Sequence, residues 1–380
     1  MKCEWKTVKL GDIAEFNKFT YSVKDEWKFV NYLDTGNITE NRIEAIQYID
    51  LFKESLPSRA KRKVKNCNII YSTVRPNQLH YGYIKEQPNN FLVSTGFAVI
   101  DVNEEFANSQ FIYYFLTQNS ITDYLHSIAE QSVSAYPSIK SSDLADVEIN
   151  LPDLETQKKI AKILSSLDDK IELNNAINHN LEAQASELFD AWFISFVRSD
   201  GKMPADWHKG TLGDIAAITS GKRPPMKQAV ASVDATIPLV GAASIMGFTN
   251  AILYNEPILV TGRVGTHGVV QRFQSPCWTS DNTLVIKSDF YEYTFQVLQR
   301  VDYVNMNRGS TQPLITQTDL KNVSIVIPTE EVLLEYEKIA GSLMAMYESN
   351  RKENERLATL RDTLLPKLMS GEIDVSEVEL

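Results

Sequence analysis

The chain has 380 residues, and its 38 Lys and Arg against 49 Asp and Glu give a formal net charge of −11. Hydrophobic residues make up 43% and charged residues 23%, which is ordinary for a globular protein and excludes disorder or a fibrous repeat as the main state. No apolar run approaches the ~18 residues that a membrane helix needs. Taken as a bulk value, the acidic charge argues against a protein that grips nucleic acid.

The cysteines and the N-terminus indicate the compartment. Cys3, Cys67 and Cys277 are odd in number and far apart, which argues against a disulfide framework and for free thiols. The N-terminal residues lack the apolar core of a signal peptide. We therefore expect a reducing, cytoplasmic location.

Two parts of the chain predict strand-rich domains. Residues 1–152 predict strands at 68–74, 97–100 and 147–151, with one helix from Ser109 to Ile128. Residues 199–328 follow the same style, with strands at 257–260 and 283–286 and a helix from Tyr291 to Val301. Both parts are expected to be α+β.

The two parts share letters at fixed offsets, which indicates an internal duplication. Trp5 and the stretch 10–14 (LGDIA) recur 202 residues later as Trp207 and 212–216. A second match links 139–152 to 315–328 at an offset of 176. Because the offset falls, the first copy is longer between the two matches.

A long helix is predicted after each copy. Residues 153–198 begin with Pro152-Asp153 and carry a heptad seam, which is typical of a coiled coil. The seam residues of this first helix are Ile160, Leu164, Leu167, Ile171, Asn174, Asn178, Leu181 and Leu188. Asn at a seam position lowers stability but helps to fix register.

The second helix is predicted over residues 329–370, followed by a tail over 371–380. Its seam residues are Leu343, Met346, Asn350, Leu357, Leu360 and Leu364. Each helix could instead pack only on its own domain. Two seams of equal length pair most simply with each other, so we predict an antiparallel coiled coil.

The charge of −11 is unevenly distributed along the chain. The helices and tail, residues 151–200 and 328–380, together carry −10. Residues 51–100 carry +6, and residues 201–327 carry +2. Basic runs can be ordinary solvated surface, but one run in each half suggests two patches that neutralise phosphates. The candidate DNA-binding residues are Arg59, Lys61, Arg62, Lys63, Lys65, Arg75, Lys222, Arg223, Lys227, Arg263, His267, Arg272, Arg308 and Gln312.

The sequence offers no catalytic constellation. No Asp/Asn-Pro-Pro-aromatic run of an adenine methyltransferase is present, and Gly221-Lys222 lacks the rest of a phosphate-binding loop. The five histidines have no metal-ligand spacing. Glu155 and Lys158 stand at a helix start and are interpreted as capping and surface charge. We therefore expect no enzyme activity, metal or cofactor in this chain.

The ordered motifs resemble the specificity subunit of type I restriction–modification systems, and the resemblance spans essentially the whole chain. Trp5 with 10–13 and Trp207 with 212–215 resemble the motif that opens each domain of that family. Residues 143–160, 188–193 and 308–320 resemble the beginning of the first spacer helix, its end, and the approach to the second. Residues 360–373 (LRDTLLPKLMSGEI) resemble the C-terminal motif of the family.

The resemblance implies a non-catalytic subunit with two target recognition domains, each reading one half of a bipartite DNA site. It implies that the helices set the spacing of the half-sites and dock two methyltransferase subunits, which carry S-adenosylmethionine. A motor-nuclease restriction subunit would be a further partner. The alternative is a scaffolding protein whose duplicated domains bind other proteins.

Overall fold

The computed structural model describes residues 5–132, 136–306 and 314–378. It divides into two compact units. Unit 1 contains Met1–Leu173 and Glu353–Leu380, and unit 2 contains Asn174–Lys352. Each unit therefore consists of one globular half together with a segment of both long helices.

The globular part of unit 1 is built from short strands and four helices. The strands are β1 (Lys6–Lys9), β2 (Ala14–Phe16), β3 (Phe29–Leu33), β4 (Ile38–Thr39), β5 (Arg42–Ile43), β6 (Gln47–Asp50), β7 (Ala60–Lys63), β8 (Ile69–Ser72), β9 (Tyr81–Tyr83), β10 (Phe91–Ser94), β11 (Phe97–Val102) and β12 (Glu148–Leu151). The helices are α1 (Leu10–Ile13), α2 (Ser109–Leu116), α3 (Asn119–Glu130) and α4 (Ser141–Ala145). The single helix predicted from Ser109 to Ile128 is wrong, because the chain breaks at Thr117 and Gln118 into α2 and α3.

A first long helix, α5 (Leu154–Phe189), follows and ends in one wider π-type turn, Asp190–Ile194. The strands after it are β13 (His208–Thr211), β14 (Ala217–Ser220), β15 (Ile237–Val240), β16 (Ile245–Thr249), β17 (Ile258–Gly262), β18 (Gln271–Phe273), β19 (Trp278–Thr279), β20 (Thr283–Lys287) and β21 (Ser324–Ile327). The helices are α6 (Leu212–Ile215), α7 (Tyr291–Gln299), α8 (Tyr303–Met306), α9 (Gln317–Lys321) and the second long helix α10 (Glu330–Met369).

The two larger sheets of each unit correspond strand for strand, except for β7. Unit 1 has the order β2-β11-β8-β9 in one sheet and β6-β3-β10-β7 in the other. Unit 2 has the orders β14-β20-β17-β18 and β16-β15-β19. In both units the second sheet contains a parallel pair, β3 with β10 and β15 with β19. Among the described residues, unit 2 has no counterpart of β7, which lies within the extra length of the first copy, and none of the small β4-β5 pair.

The repeated LGD motif has the same structural role in each unit. The first strand of each half pairs with the last, so that Val8 faces Ile149 and Gly210 faces Ile325. Leu10 and Leu212 are fully buried at the start of the short helix that follows. The carboxylates of Asp12 and Asp214 then accept the N-cap backbone N–H, at 3.2 and 2.7 Å. In each unit the aspartate thus satisfies a backbone donor at the start of the short helix.

The glycine of the motif allows two short helices to pack closely. A Cβ on Gly11 would lie 3.1 Å from the Cβ of Ala145, and one on Gly213 would lie 3.2 Å from the Cβ of Lys321. These contacts are tighter than side chains usually allow. The letters that repeat in the sequence are therefore those with a structural role in both units. They cap the short helix, bury its leucine and allow it to pack against a second short helix; we call this junction the LGD corner.

The long helices pair in antiparallel fashion within each unit. In unit 1 the carboxylate of Asp168 accepts Arg361 Nη1 at 2.8 Å, and Lys170 pairs with Glu353 at 3.5 Å. In unit 2 the buried Asn178 accepts the Nδ2 of Asn350 at 2.9 Å. Tyr336 lies near the start of α10, and its hydroxyl donates to the carbonyl of Ala185, near the end of α5, at 3.4 Å. The residue numbers of the contacts on α10 decrease as those on α5 increase. This is the order expected of an antiparallel pair, and it confirms the predicted pairing.

The predicted seam of α5 is confirmed and that of α10 only in part. Ile160, Leu164, Asn174, Asn178 and Leu181 are buried, and Leu167, Ile171 and Leu188 are half-buried. In α10, Leu343, Asn350, Leu357 and Leu364 are half-buried. Met346 and Leu360 are wrong, since they are 56% and 46% exposed. The buried apolar residues of α10 in unit 2 are instead Leu333, Tyr336, Ala340 and Met344.

Polar contacts fix each globular half to its helical segment. In unit 1 the Tyr114 hydroxyl donates to Asp168 at 2.6 Å. In unit 2 the carboxylate of Glu337 on α10 accepts the backbone N–H groups of Glu292 and Tyr293, at 3.0 and 2.8 Å. Burial raises the pKa of Glu337 to about 7 even though both N–H groups favour its charged form. These contacts hold α7 against α10.

The segment after α10 folds back onto unit 1. Gly371 ends the helix with a φ of 72°, and a Cβ there would lie 3.2 Å from the indole of Trp5. Val375 is buried in the same core as Leu10 and Ile149. Glycine is required here for its conformation and for the contact with Trp5.

Two glycines of the last helix and its cap should respond oppositely to alanine. Gly371→Ala should lower the free energy of unfolding by about 1–2 kcal/mol, because an L-residue is strained at this φ. Gly341→Ala should raise it by about 1 kcal/mol, because a Cβ there meets no atom within 4 Å in the described chain and alanine favours a helix interior. Urea denaturation measures both, and shifts of the same sign would contradict the roles given to these residues.

Candidate nucleic-acid interface

In unit 2 several strand ends meet at one edge, which we call the loop edge of unit 2. It comprises residues 221–223, 241–244, 263–268 and 280–282. The backbone N–H of Lys222 donates to Thr279 at 2.9 Å, that of Ser280 to Val240 at 2.9 Å, and that of Arg263 to Asn282 at 2.8 Å. These bonds tie four separate turns into one surface.

Two glycines allow this close approach of backbone to backbone. A Cβ on Gly221 would lie 2.1 Å from the carbonyl oxygen of Ser280. A Cβ on Gly262 would lie 1.9 Å from that of Thr266. Neither carbonyl is the end of a flexible side chain, so the turns are tight and any larger residue would have to move them.

The loop edge of unit 2 brings together four of the candidate residues. Lys222 and Arg223 are exposed, and Arg263 and His267 are half-buried. Lys227 is exposed a few residues farther on, beside the bridge between Gln228 and Phe248. Arg308 and Gln312 lie outside the described residues. The sequence analysis missed exposed polar residues of the same edge, Ser244, Thr266 and Asn282, whose only signal was their place beside strand ends.

Among the candidates of unit 2 that lie in described residues, Arg272 is the one that does not belong to this surface. Its guanidinium makes two 2.6 Å hydrogen bonds with Glu292, and both side chains are 8% exposed. It also lies over the rings of Tyr291 and Phe295, at 5.0 and 4.6 Å from their centroids. Burial alone would lower the pKa of Arg272, but the bonds and charge of Glu292 raise it. The predicted DNA contact is wrong because this cation is used inside the core.

Replacing Arg272 should therefore affect stability. Arg272→Met should lower the free energy of unfolding by about 3–5 kcal/mol, because it leaves the buried Glu292 without its cation. Arg272→Met combined with Glu292→Leu should restore much of that loss. Arg223→Met, at an exposed position, is the matched control and should change stability by less than about 0.5 kcal/mol. Chemical denaturation checks all three, and an Arg272→Met protein as stable as the wild type would contradict the assignment.

Unit 1 has an equivalent loop edge, comprising residues 17–20, 34–37, 73–78 and 94–96. Thr73 donates to the carbonyl of Gly96 at 2.8 Å, as Arg263 does to Asn282 in unit 2. Val74 forms a bridge with Ser138, as Val264 does with Leu314. The two edges are thus built on the same framework.

The extra strand β7 changes how unit 1 supplies its positive charge. Arg62 of β7 pairs with Val93 on one side and forms a bridge with Thr20 on the other. Lys222 and Thr279, which correspond to Thr20 and Val93, bond directly in unit 2. The strand is therefore inserted between two segments that are neighbours in unit 2, and it brings the basic run with it.

The basic run of unit 1 does not act as one patch. Arg59 and Lys61 are exposed, and the carbonyl of Arg59 accepts the N–H of Thr95 at 2.8 Å, at the loop edge. Arg62 is half-buried, and burial lowers its pKa. The other two lysines of the run are already paired. Lys63 binds Asp25 and lies over Trp27, and Lys65 binds Asp101 at 2.9 Å, at the opposite end of β11.

Arg75 completes the loop edge of unit 1. It is exposed, and its guanidinium lies 5.1 Å from the ring centroid of Tyr136. Arg59 and Lys61 lie beside this edge and are also exposed, and Lys18 within the edge is exposed and pairs with Glu15 at 2.9 Å. The loop edge of unit 2 carries two exposed cations, Lys222 and Arg223, in its segment 221–223.

Other classes of site are not supported by the described residues. Within 5–132, 136–306 and 314–378, no three His, Cys, Asp or Glu side chains are grouped as a metal site. In the same part of the chain, no helix has the length and apolar character to cross a membrane.

Comparison with known proteins gives a consistent picture. The family profile described as the type I restriction modification DNA specificity domain matches residues 2–183 and 204–361. The chain is 26% identical to the type I restriction enzyme HindI specificity subunit of Haemophilus influenzae, over 97% of this chain and 100% of that protein. It is also 26% identical to the MjaIX specificity subunit of Methanocaldococcus jannaschii, over 99% and 95%.

A solved structure shares the fold. The S subunit of a type I restriction-modification system from M. genitalium is similar with a TM-score of 0.63 and 17% identity. The similarity covers 97% of this chain and 96% of that one. Both copies of the α+β unit are thus included.

Proposed function

Since the chain belongs to the type I restriction modification DNA specificity domain family, we propose that it is the DNA sequence-specificity subunit of a type I restriction–modification complex. Each globular half reads one half of a bipartite DNA site. The observation that carries this function is the duplication of one loop edge, with exposed cations, in both units. A single-site binder would need only one such edge.

The chemistry of the loop edges suits duplex DNA. Exposed Lys and Arg neutralise phosphates and release counterions, which provides affinity without sequence information. Short loops carrying Ser, Thr and Asn, such as those with Thr266 and Asn282, can reach donors and acceptors on base edges. Tight backbone contacts below the loops hold these side chains in fixed positions, which base readout requires.

The long helices suit a different task. Residues 151–200 and 328–380 carry most of the net negative charge, which would repel DNA phosphates. We propose that α5 and α10 set the spacing of the half-sites and dock two methyltransferase subunits, which carry the S-adenosylmethionine. This chain would be non-catalytic within that complex. A motor-nuclease restriction subunit would be a further partner.

Methylome sequencing of the native strain tests the function directly. With the gene present, methylated adenines should fall in a motif of two specific half-sites separated by a fixed number of unspecified bases. Deletion of the gene should remove that motif and leave other methylation unchanged. A methylome without a bipartite motif in the wild-type strain, or one unaffected by the deletion, would overturn the proposal.

The contribution of the loop edge can be measured through salt dependence. In the complex with its methyltransferase partners, Lys222→Ala with Arg223→Ala should reduce the slope of log affinity against log salt by about 2, since each phosphate contact contributes about 0.9. Lys209→Ala with Lys287→Ala is the matched control, because Lys287 lies at the end of β20 opposite to the loop edge. Equal slopes for the two double variants would exclude Lys222 and Arg223 as phosphate contacts.

A further inference from the structure

Arg75 occupies a backbone conformation that favours glycine. Its φ and ψ are 48° and 68°, in the left-handed region. The equivalent residue of unit 2 is Gly265, with a φ of 86°. The equivalence follows from the bridges of the preceding residues, Val74 with Ser138 and Val264 with Leu314. Unit 1 thus has a large side chain at a backbone position whose conformation favours glycine and which is glycine in unit 2.

The turn that carries Arg75 is rigid. Pro76 follows it at the first position of a single 3₁₀ turn, Pro76–Gln78, and is buried. Leu79 ends the turn in a second left-handed conformation and packs against the core of unit 1. The backbone N–H of Arg75 donates to the carbonyl of Pro137 at 2.9 Å. The position of the Arg75 Cα is therefore fixed from both sides.

An aromatic ring also orients the side chain. The guanidinium of Arg75 lies 5.1 Å from the ring centroid of Tyr136, which is 58% exposed. A cation–π contact of this kind restricts the position of the guanidinium, and it does not use the N–H donors that lie in the guanidinium plane. In unit 2, Gln312 stands at the position of Tyr136 in the sequence. Both members of the Arg75–Tyr136 pair thus belong to the first half alone.

We propose that Arg75, supported by Tyr136, reads a guanine in the major groove of the half-site that unit 1 recognises. This inference rests on the proposed function. A planar guanidinium with N–H donors in its plane matches the O6 and N7 acceptors of guanine, and this pairing is the commonest specific contact of arginine with DNA.

A phosphate contact would account less well for these features. Phosphates accept cations from many directions, so they require neither a strained backbone nor a side chain held over an aromatic ring. Arg59 and Lys61 are exposed in the same unit and supply positive charge from ordinary strand and loop positions. The cost of placing arginine at a glycine position is explained if the geometry of its N–H groups matters.

The test compares variants of Arg75 in the intact complex by methylome sequencing and by binding to duplex oligonucleotides. Arg75→Lys keeps the charge and the backbone but loses the planar pair of donors. It should reduce discrimination about ten- to a hundred-fold at one G·C pair of one half-site, and leave the other half-site and the salt slope unchanged. Arg75→Gly should relax the same base pair without lowering the melting temperature. Tyr136→Leu should relax it partly.

Glu26→Gly is the matched control, because Glu26 is exposed and left-handed in unit 1 but lies at the end of a different turn. Its motif should equal that of the wild type. An unchanged motif for Arg75→Lys, with uniformly weaker binding for Arg75→Gly, would identify a phosphate contact and overturn the inference. A wild-type methylome without any bipartite motif would instead overturn the proposed function, so the two failures are distinct.

Discussion

The pairing of the first and last strands of each half is the interaction on which the rest of the molecule depends. β1 with β12 and β13 with β21 bring the start and the end of a long insertion to one place. A long helix begins three residues after the end of the last strand in both cases. The insertion between the paired strands can therefore vary without disturbing the helices. The LGD corner, with its cap and its close glycine contact, locks this junction twice.

The same division explains the charge of the chain. Acidic residues are concentrated on the two helices, and exposed cations lie on the loop edges. A bulk value of −11 averages over surfaces with opposite tasks. Even the local basic run needed the structure for its interpretation, because Lys63 and Lys65 form ion pairs with Asp25 and Asp101, and Asp101 lies at the end of β11 away from the loop edge.

The sequence predicts those features that depend on local chemistry. The duplication, the helix seam of α5 and most strand positions are confirmed, because capping, heptads and alternating burial are read from neighbouring letters. The pairing of the two long helices was also predicted, but individual contacts between distant residues were missed. The heptad pattern in α10 placed Met346 in the seam, whereas Met346 is 56% exposed and Met344 is buried. Arg272 resembles any surface cation until Glu292, 20 residues away in the chain, is found beside it. The insertion of β7 between Thr20 and Val93 has no local signal either.

The two halves therefore share a framework and differ where they would meet DNA. Residues that cap, bury or allow close packing recur at matching positions, as Leu10 and Leu212 do. Cations at the loop edges do not, since one edge uses an inserted strand and a strained arginine and the other uses Lys222 and Arg223. Base readout depends on where individual donors and acceptors lie, and not on the framework below them. Two edges with one architecture and different side chains are thus suited to read two different sequences, so the bipartite site should be asymmetric.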